Sequence, residues 1–344
     1  MKLQSERFWR LLGRPMALGA ALGVAALLLP LLAAGKGEKA PALLPAEPTV
    51  AVTPSSTPAA SWDGAQPVRV LLADGAVAEL TMVDYLWRVV AAEMPASFEP
   101  EALAAQAVCA RTYSLWKLRA GSHQGSGADL CSDSRCCQAY IEPAEAAERW
   151  GALAEEYTAK IAAAVTETDG QALTYGGEII QAAFFSSAAG QTEDAAAVWG
   201  NSLPYLVPVD SPEGDEVPNY HTTVTLTAKD LRKLAATEHP DAVLAGDPAG
   251  WITDVSYTAS GRVAELSFGG VTLSGGAARN LFGLRSASFT VEEADGVFTF
   301  SVTGYGHGVG MSQYGANAMA RAGSGWREIV KHYYTGATVE RLGA

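Results

Sequence analysis

Glu93 stands where an apolar run of the chain turns a corner. In VVAAEMPASFEPEALAAQAVCARTY, residues 89–113, it is followed by Met94 and Pro95. Proline disfavours helical geometry at the residue before it, so a helix is expected to stop at Met94. Upstream, Val83, Leu86, Trp87, Val90 and Met94 follow i, i+3, i+4, i+7 spacing and form one apolar stripe with Glu93 at its edge. Downstream, a second helix opens with Pro100 in its first turn and with Glu99 and Glu101 near its positive dipole end. A carboxyl group among apolar neighbours is partly desolvated, which disfavours its charged form. That is the state a general acid requires at neutral pH. The same spacing permits a plainer reading, in which Glu93 pairs with Arg111 or caps the second helix.

Two further stretches carry reactive side chains. GYGHGVG has glycine at 304, 306, 308 and 310, and a dinucleotide fingerprint would need glycine where Val309 stands. Alternate glycines let the backbone approach a flat ligand and present Tyr305 and His307. A tight loop leading into a helix capped by Ser312 explains the same residues. HQGSGADLCSDSRCCQAY holds His123, Cys131, Cys136 and Cys137. Neutral imidazole and thiolates are donors that Zn²⁺ takes, about four in a tetrahedron. No C-x-x-C pair is present, so the spacing is not that of a zinc finger. Cys109, within a helical stretch, reads as a small buried hydrophobe.

The elements that must position these groups read as α+β. VRVLLADGAVAELTM alternates around an Asp-Gly turn, and residues 82–118 are helical around the corner at Glu93. Residues 142–168 read as a helix, and LTYGGEIIQAAFFSS as a hairpin turning at Gly-Gly. Alternating runs flank Ser260-Gly261 and Asp295-Gly296; helices are expected around AKDLRKLAA and from Ser312 onward. Helices and antiparallel strands mix without a βαβ rhythm, which favours α+β over a doubly wound α/β sheet. Two lobes flanking a cleft are expected.

The 344 residues carry a formal net charge of -13, which argues against nucleic acid as a partner, since an acidic chain repels phosphates. Lys2, Arg7, Arg10 and Arg14 precede nineteen uncharged residues, Met16 to Ala34. At about 1.5 Å rise per residue this stretch nearly spans a hydrocarbon core of roughly 30 Å. A cleaved signal peptide usually has a shorter apolar region, so a single-pass anchor is the better reading. The basic flank keeps the N-terminus inside and places the rest outside the cytoplasm. Residues 35–66, rich in Pro, Ala, Ser and Thr, read as a disordered tether. The expected organisation is a cytoplasmic segment 1–15, an anchor 16–34, a linker 35–66 and a globular domain 67–344.

The corner motif resembles the signature of the stage II sporulation protein D family. FFSSAAGQTEDAAAVWGNSLPYLVPVDSP, LFGLRSASF and GYGHGVGMSQYGANAMA match the same family in its order. The resemblance implies a membrane-anchored lytic transglycosylase with Glu93 as catalytic acid. Its substrate is then peptidoglycan glycan strands stripped of stem peptides, and its product a 1,6-anhydro sugar. It implies substrate contacts from Ser186, Ser187, Tyr305 and His307, although the two serines serve equally to satisfy a strand end. Arg111 either steers Glu93, binds a muramic acid carboxylate or forms a structural salt bridge. Some family members hold zinc with a His and two Cys, which fall on His123, Cys131 and Cys137; His123 stands at a slightly different spacing. Cys136 is a further ligand or a spectator. A metal there is expected to shape the loop beside Glu93, not to activate water. The rival is a disulfide from Cys131 to Cys136 or Cys137, in keeping with a location outside the cytoplasm. Expected partners are an amidase that removes stem peptides and an integral membrane scaffold, acting during engulfment of the forespore. A non-catalytic glycan-binding activator of an amidase is the second hypothesis, and a metallohydrolase built on the Cys/His loop the third.

Overall fold

The structure, a computed structural model, describes residues 61–343 except 122 and 124. The expected cytoplasmic segment, the anchor and the tether as far as residue 60 lie outside the described residues. Among the described residues no helix is long and apolar enough to cross a membrane.

The end of the expected tether needs correction, because its last residues are folded. Ser61 caps a one-turn helix, α1 (Trp62–Ala65), its hydroxyl accepting the Gly64 N–H at 2.9 Å. Asp169 holds this turn by accepting from the Ser61 hydroxyl and from the N–H groups of Trp62 and Asp63. The folded domain therefore begins no later than Ser61.

From there β1 (Pro67–Leu71) and β2 (Val77–Thr81) form the expected hairpin. Thr81 caps α2 (Met82–Glu93), accepting the Asp84 N–H at 3.3 Å; α2 ends where Met94 turns extended ahead of Pro95. The following α3 (Pro100–Ala120) starts at its proline and ends on Gly121 in the left-handed region. Its small residues Ala102–Ala105 and Ala107–Ala110 are buried on nearly all sides. The first half of α3 is buried all round, the polar Gln106 included, and makes α3 the hub of this core.

The chain continues through β3 (Leu130–Cys131), α4 (Pro143–Trp150), α5 (Ala154–Glu167), β4 (Gln171–Tyr175), β5 (Glu178–Ile179), β6 (Phe184–Phe185) and α6 (Ala195–Trp199). The helix expected over 142–168 is two helices joined by a 3₁₀ turn at Gly151–Leu153, because Gly151 adopts φ 54 and ψ -121. The hairpin at Gly176-Gly177 is confirmed for β4 and β5, both glycines having positive φ. Phe184 and Phe185 do not continue it; they pair with a later strand.

A second core follows. It comprises β7 (His221–Thr227), α7 (Ala228–Glu238), β8 (Ile252–Tyr257), β9 (Val263–Phe268), β10 (Val271–Ser274), α8 (Gly275–Leu281), β11 (Phe289–Ala294) and β12 (Val297–Thr303). Its two sheets, in orders β10-β9-β8 and β11-β12-β7, are antiparallel and enclose Phe268, Phe282, Phe298 and Phe300. The chain then returns to the first core with β13 (Met311–Ser312), α9 (Gln313–Arg321), α10 (Trp326–Tyr333) and β14 (Thr338–Arg341). The class is α+β, as the element pattern predicted, and the apolar interior is divided into two cores. Two short parallel pairings, β1 with β3 and β6 with β13, depart from the purely antiparallel expectation.

Candidate active site

Glu93 is the last residue of α2, and its half-buried side chain lines a cleft of about 740 Å³. One carboxylate oxygen accepts the Ala139 N–H at 2.6 Å; the other lies 3.5 Å from the Gln313 amide nitrogen. Burial pushes its pKa above the ordinary glutamate value, and the two hydrogen bonds pull it back only in part. Among the described residues Glu93 forms no ion pair. Its neighbours have other employment. Glu101 accepts the Trp326 N–H at 2.7 Å and ties α3 to α10, while Glu99 faces Arg321 at 3.9 Å.

Arg111 is not in the cleft, and its expected substrate role is corrected. It is fully buried; its Nε and Nη2 donate to Asp63 at 2.7 and 2.5 Å, and Nη1 donates to the Gln171 carbonyl at 3.0 Å. The structural salt bridge wins because α1 supplies a carboxylate that the tether assignment had hidden.

The two serines part company. Ser186 lines the cleft, whereas Ser187 is buried, and its backbone exchanges both hydrogen bonds with Tyr305. Direct substrate contact by Ser187 is therefore corrected to a strand-bridging role. Successive residues of an extended segment face opposite ways, so one serine in the cleft puts its neighbour in the core.

The glycine-rich stretch carries the chain from the second core back to the first, and its glycines approach protein, not ligand. All four have positive φ, and a Cβ would lie 2.0 Å from the Ala183 carbonyl at Gly310 and 2.6 Å from the Ser187 carbonyl at Gly304. The close packing presents Tyr305, 42% exposed, and His307 to the cleft. The His307 Nε2–H donates to the Phe184 carbonyl at 3.0 Å, and Nδ1 accepts the Val309 N–H at 3.1 Å. Burial, reinforced by Arg262, holds its pKa down at about 4. With both nitrogens engaged and the ring neutral, His307 offers a surface between Phe185 and Trp199, not a proton relay.

Donor atoms of His123, Cys131, Cys136 and Cys137 all lie within 4.8 Å of one another, with His123 Nε2 3.2 Å from Cys137 Sγ. One imidazole and three thiols match the donor set of tetrahedral structural zinc sites, and Cys136 belongs to the group. All four cysteines of the chain are free thiols here. Cys136, Cys137 and Gln138 wall the cleft, and the amide that holds Glu93 follows at Ala139. Cys109 is buried beneath, its thiol pushed up to about 12 by burial.

Several cleft residues escaped the sequence: Tyr113 and Trp116 on α3, Trp199 at the end of α6, Gln313 at the start of α9, and Arg279 on α8. Trp199 lines the cleft and remains 37% exposed, so its ring is open to a ligand there. The i, i+3 spacing of Tyr113 and Trp116 would have placed them on one helix face. Gln313 had no local signal.

Residues 74–175 match the profile of the family described as Stage II sporulation protein. Stage II sporulation protein D of Bacillus subtilis (strain 168) is 36% identical over 311 residues, covering 89% of each chain. Its counterpart in Bacillus amyloliquefaciens is 37% identical over 299 residues, 86% of this chain and 81% of that one. The Amidase enhancer of Bacillus subtilis (strain 168) is 32% identical over 72% of this chain and 39% of its own length. Identity at this level across nearly the whole of both chains makes the protein a member of the stage II sporulation protein D family.

Proposed function

We propose that this chain is a lytic transglycosylase cutting the bond between N-acetylmuramic acid and N-acetylglucosamine in glycan strands that lack stem peptides. The observation that carries this reading is the cleft's acid inventory. Glu93 is its one carboxylate among the described lining residues, and burial favours its protonated form. Glycosidases that use water commonly need a second carboxylate, as base or nucleophile. A lytic transglycosylase works with one. Protonated Glu93 gives its proton to the glycosidic oxygen as the bond from C1 breaks. The sugar's own 6-hydroxyl closes onto C1, and the Glu93 carboxylate takes its proton, so the acid is restored and no water is consumed. The Ala139 N–H supports the carboxylate between the two steps, and Trp199 and Tyr305 offer faces for sugar rings. Glu93→Gln is expected to keep the fold and glycan binding while abolishing release of soluble fragments from denuded glycan. A cleaving Gln variant contradicts the proposal.

His123, Cys131, Cys136 and Cys137 suit zinc, which would supply a rigid crosslink of the loop preceding Ala139. Chelation is expected to lower the thermal midpoint and glycan cleavage together, with Zn²⁺ restoring both. Full activity after verified loss of metal contradicts that role. The anchor at 16–34 would hold the domain outside the cytoplasm, between mother-cell and forespore membranes, beside an amidase and a membrane scaffold.

The similarity to a protein named Amidase enhancer favours a second reading, a glycan-binding activator using the same cleft without cutting. A binder has no use for a protonatable acid held by a dedicated amide. It would bind denuded glycan and leave it whole.

A further inference from the structure

The cleft is cationic in a chain whose formal net charge is -13. Among the described residues Lys117, Arg135 and Arg279 line it against the single acid Glu93. Two of these cations are engaged. Arg135 pairs with Asp133 at 2.8 Å, and Lys117 sits 5.7 and 5.8 Å from the ring centroids of Trp116 and Tyr113. Arg279 is different. Among the described residues its side chain makes no ion pair or hydrogen bond, and its Nε is buried without a partner.

Its surroundings hold it in that state. Arg279 borders both the main cleft and an adjoining depression of about 440 Å³. The acid in that depression, Glu193, is occupied: it accepts from Thr258 Oγ1 at 2.5 Å, from Ser260 Oγ at 3.3 Å and from the Asp194 N–H at 2.9 Å. The nearby Arg262 donates to the Gly306 carbonyl at 2.9 Å, and its charge faces Glu193 more strongly than it faces Arg279. An unpaired, partly buried guanidinium incurs a desolvation cost that no protein group offsets, and a planar donor fork fits a carboxylate.

Resting on the glycosidic reading above, we infer that Arg279 recognises a free carboxylate on the glycan, the lactyl carboxylate of muramic acid. This group is ionised only when no peptide is attached, because a stem peptide turns it into a neutral, bulkier amide. Arg279 thereby selects stripped strands, the task that the sequence had offered to Arg111. It is a specificity residue; proton transfer stays with Glu93.

The test compares a tetrasaccharide of alternating N-acetylglucosamine and N-acetylmuramic acid with its lactyl methyl ester, by calorimetric titration of the full chain carrying Glu93→Gln. The free acid is expected to bind about 10- to 100-fold more tightly, the span of a charge-assisted hydrogen-bonded pair. Adding Arg279→Gln should erase the preference while ester affinity stays within about twofold, which also reports an intact cleft; Arg279→Lys should keep part of it. Equal binding of acid and ester, or a preference that survives Arg279→Gln, overturns the inference. Should the wild-type chain cleave acid and ester at equal rates, this inference falls and the transglycosylase reading stands. Binding of neither sugar, with no cleavage of either, sinks both.

Discussion

At the residue scale, Glu93 owes its character to neighbours that come from three separate parts of the chain. The corner made by Pro95 is local, so the acid was legible in the sequence. The Ala139 amide and Gln313, 46 and 220 residues away, were not. The role of Arg111 stayed open for the same reason: its partner Asp63 is 48 residues distant, and no spacing rule reaches that far. The raised pKa of Glu93 has a consequence for stability that is separate from activity. Below the ordinary glutamate value of about 4.3, folded and unfolded chains both keep the proton. As pH rises from there, the unfolded chain ionises freely while the folded one resists, so the wild type loses stability until pH passes the raised value. Glu93→Gln removes this cost. Its melting temperature relative to wild type is expected to climb with pH and then level off. A difference that stays flat across that range would mean the carboxyl group is not desolvated.

At the element scale, secondary structure was readable wherever a turn announced itself, and tertiary wiring was not. Asp295-Gly296 and Gly176-Gly177 turn the chain as expected, with positive φ at both residues. The four alternate glycines of residues 304–310 were visible as a motif, but their sequence could not say that Gly304 and Gly310 approach the Ser187 and Ala183 carbonyls, Gly306 the Phe185 side chain and Gly308 the Arg262 guanidinium. Composition gave the wrong answer at residues 61–66, where polar and small residues resemble a tether yet carry the partner of a buried arginine. Removing one side of a buried ion pair typically costs about 3–5 kcal/mol, because the other charge is stranded. Asp63→Ala is expected to destabilise the domain by that amount in denaturant titration. A chain started at Pro67 should be destabilised likewise. A midpoint unchanged by Asp63→Ala would show that the pair contributes nothing.

At the scale of the whole molecule, the α+β class followed from the mixture of periodicities, while the division into two cores and the meeting of α2, α3, the cysteine loop, α8 and the returning glycine segment around one cleft did not. That convergence makes the chemistry specific: one protonatable carboxylate, aromatic faces for sugars, and cations against an acidic background. The central claim, that one acid drives ring closure without water, is tested most directly by weighing the products of denuded glycan. Digestion in ¹⁸O-labelled water followed by mass spectrometry is predicted to give 1,6-anhydro ends, one water lighter than hydrolysed ends and free of label; labelled reducing ends, or glycan bound but uncut, would contradict the account.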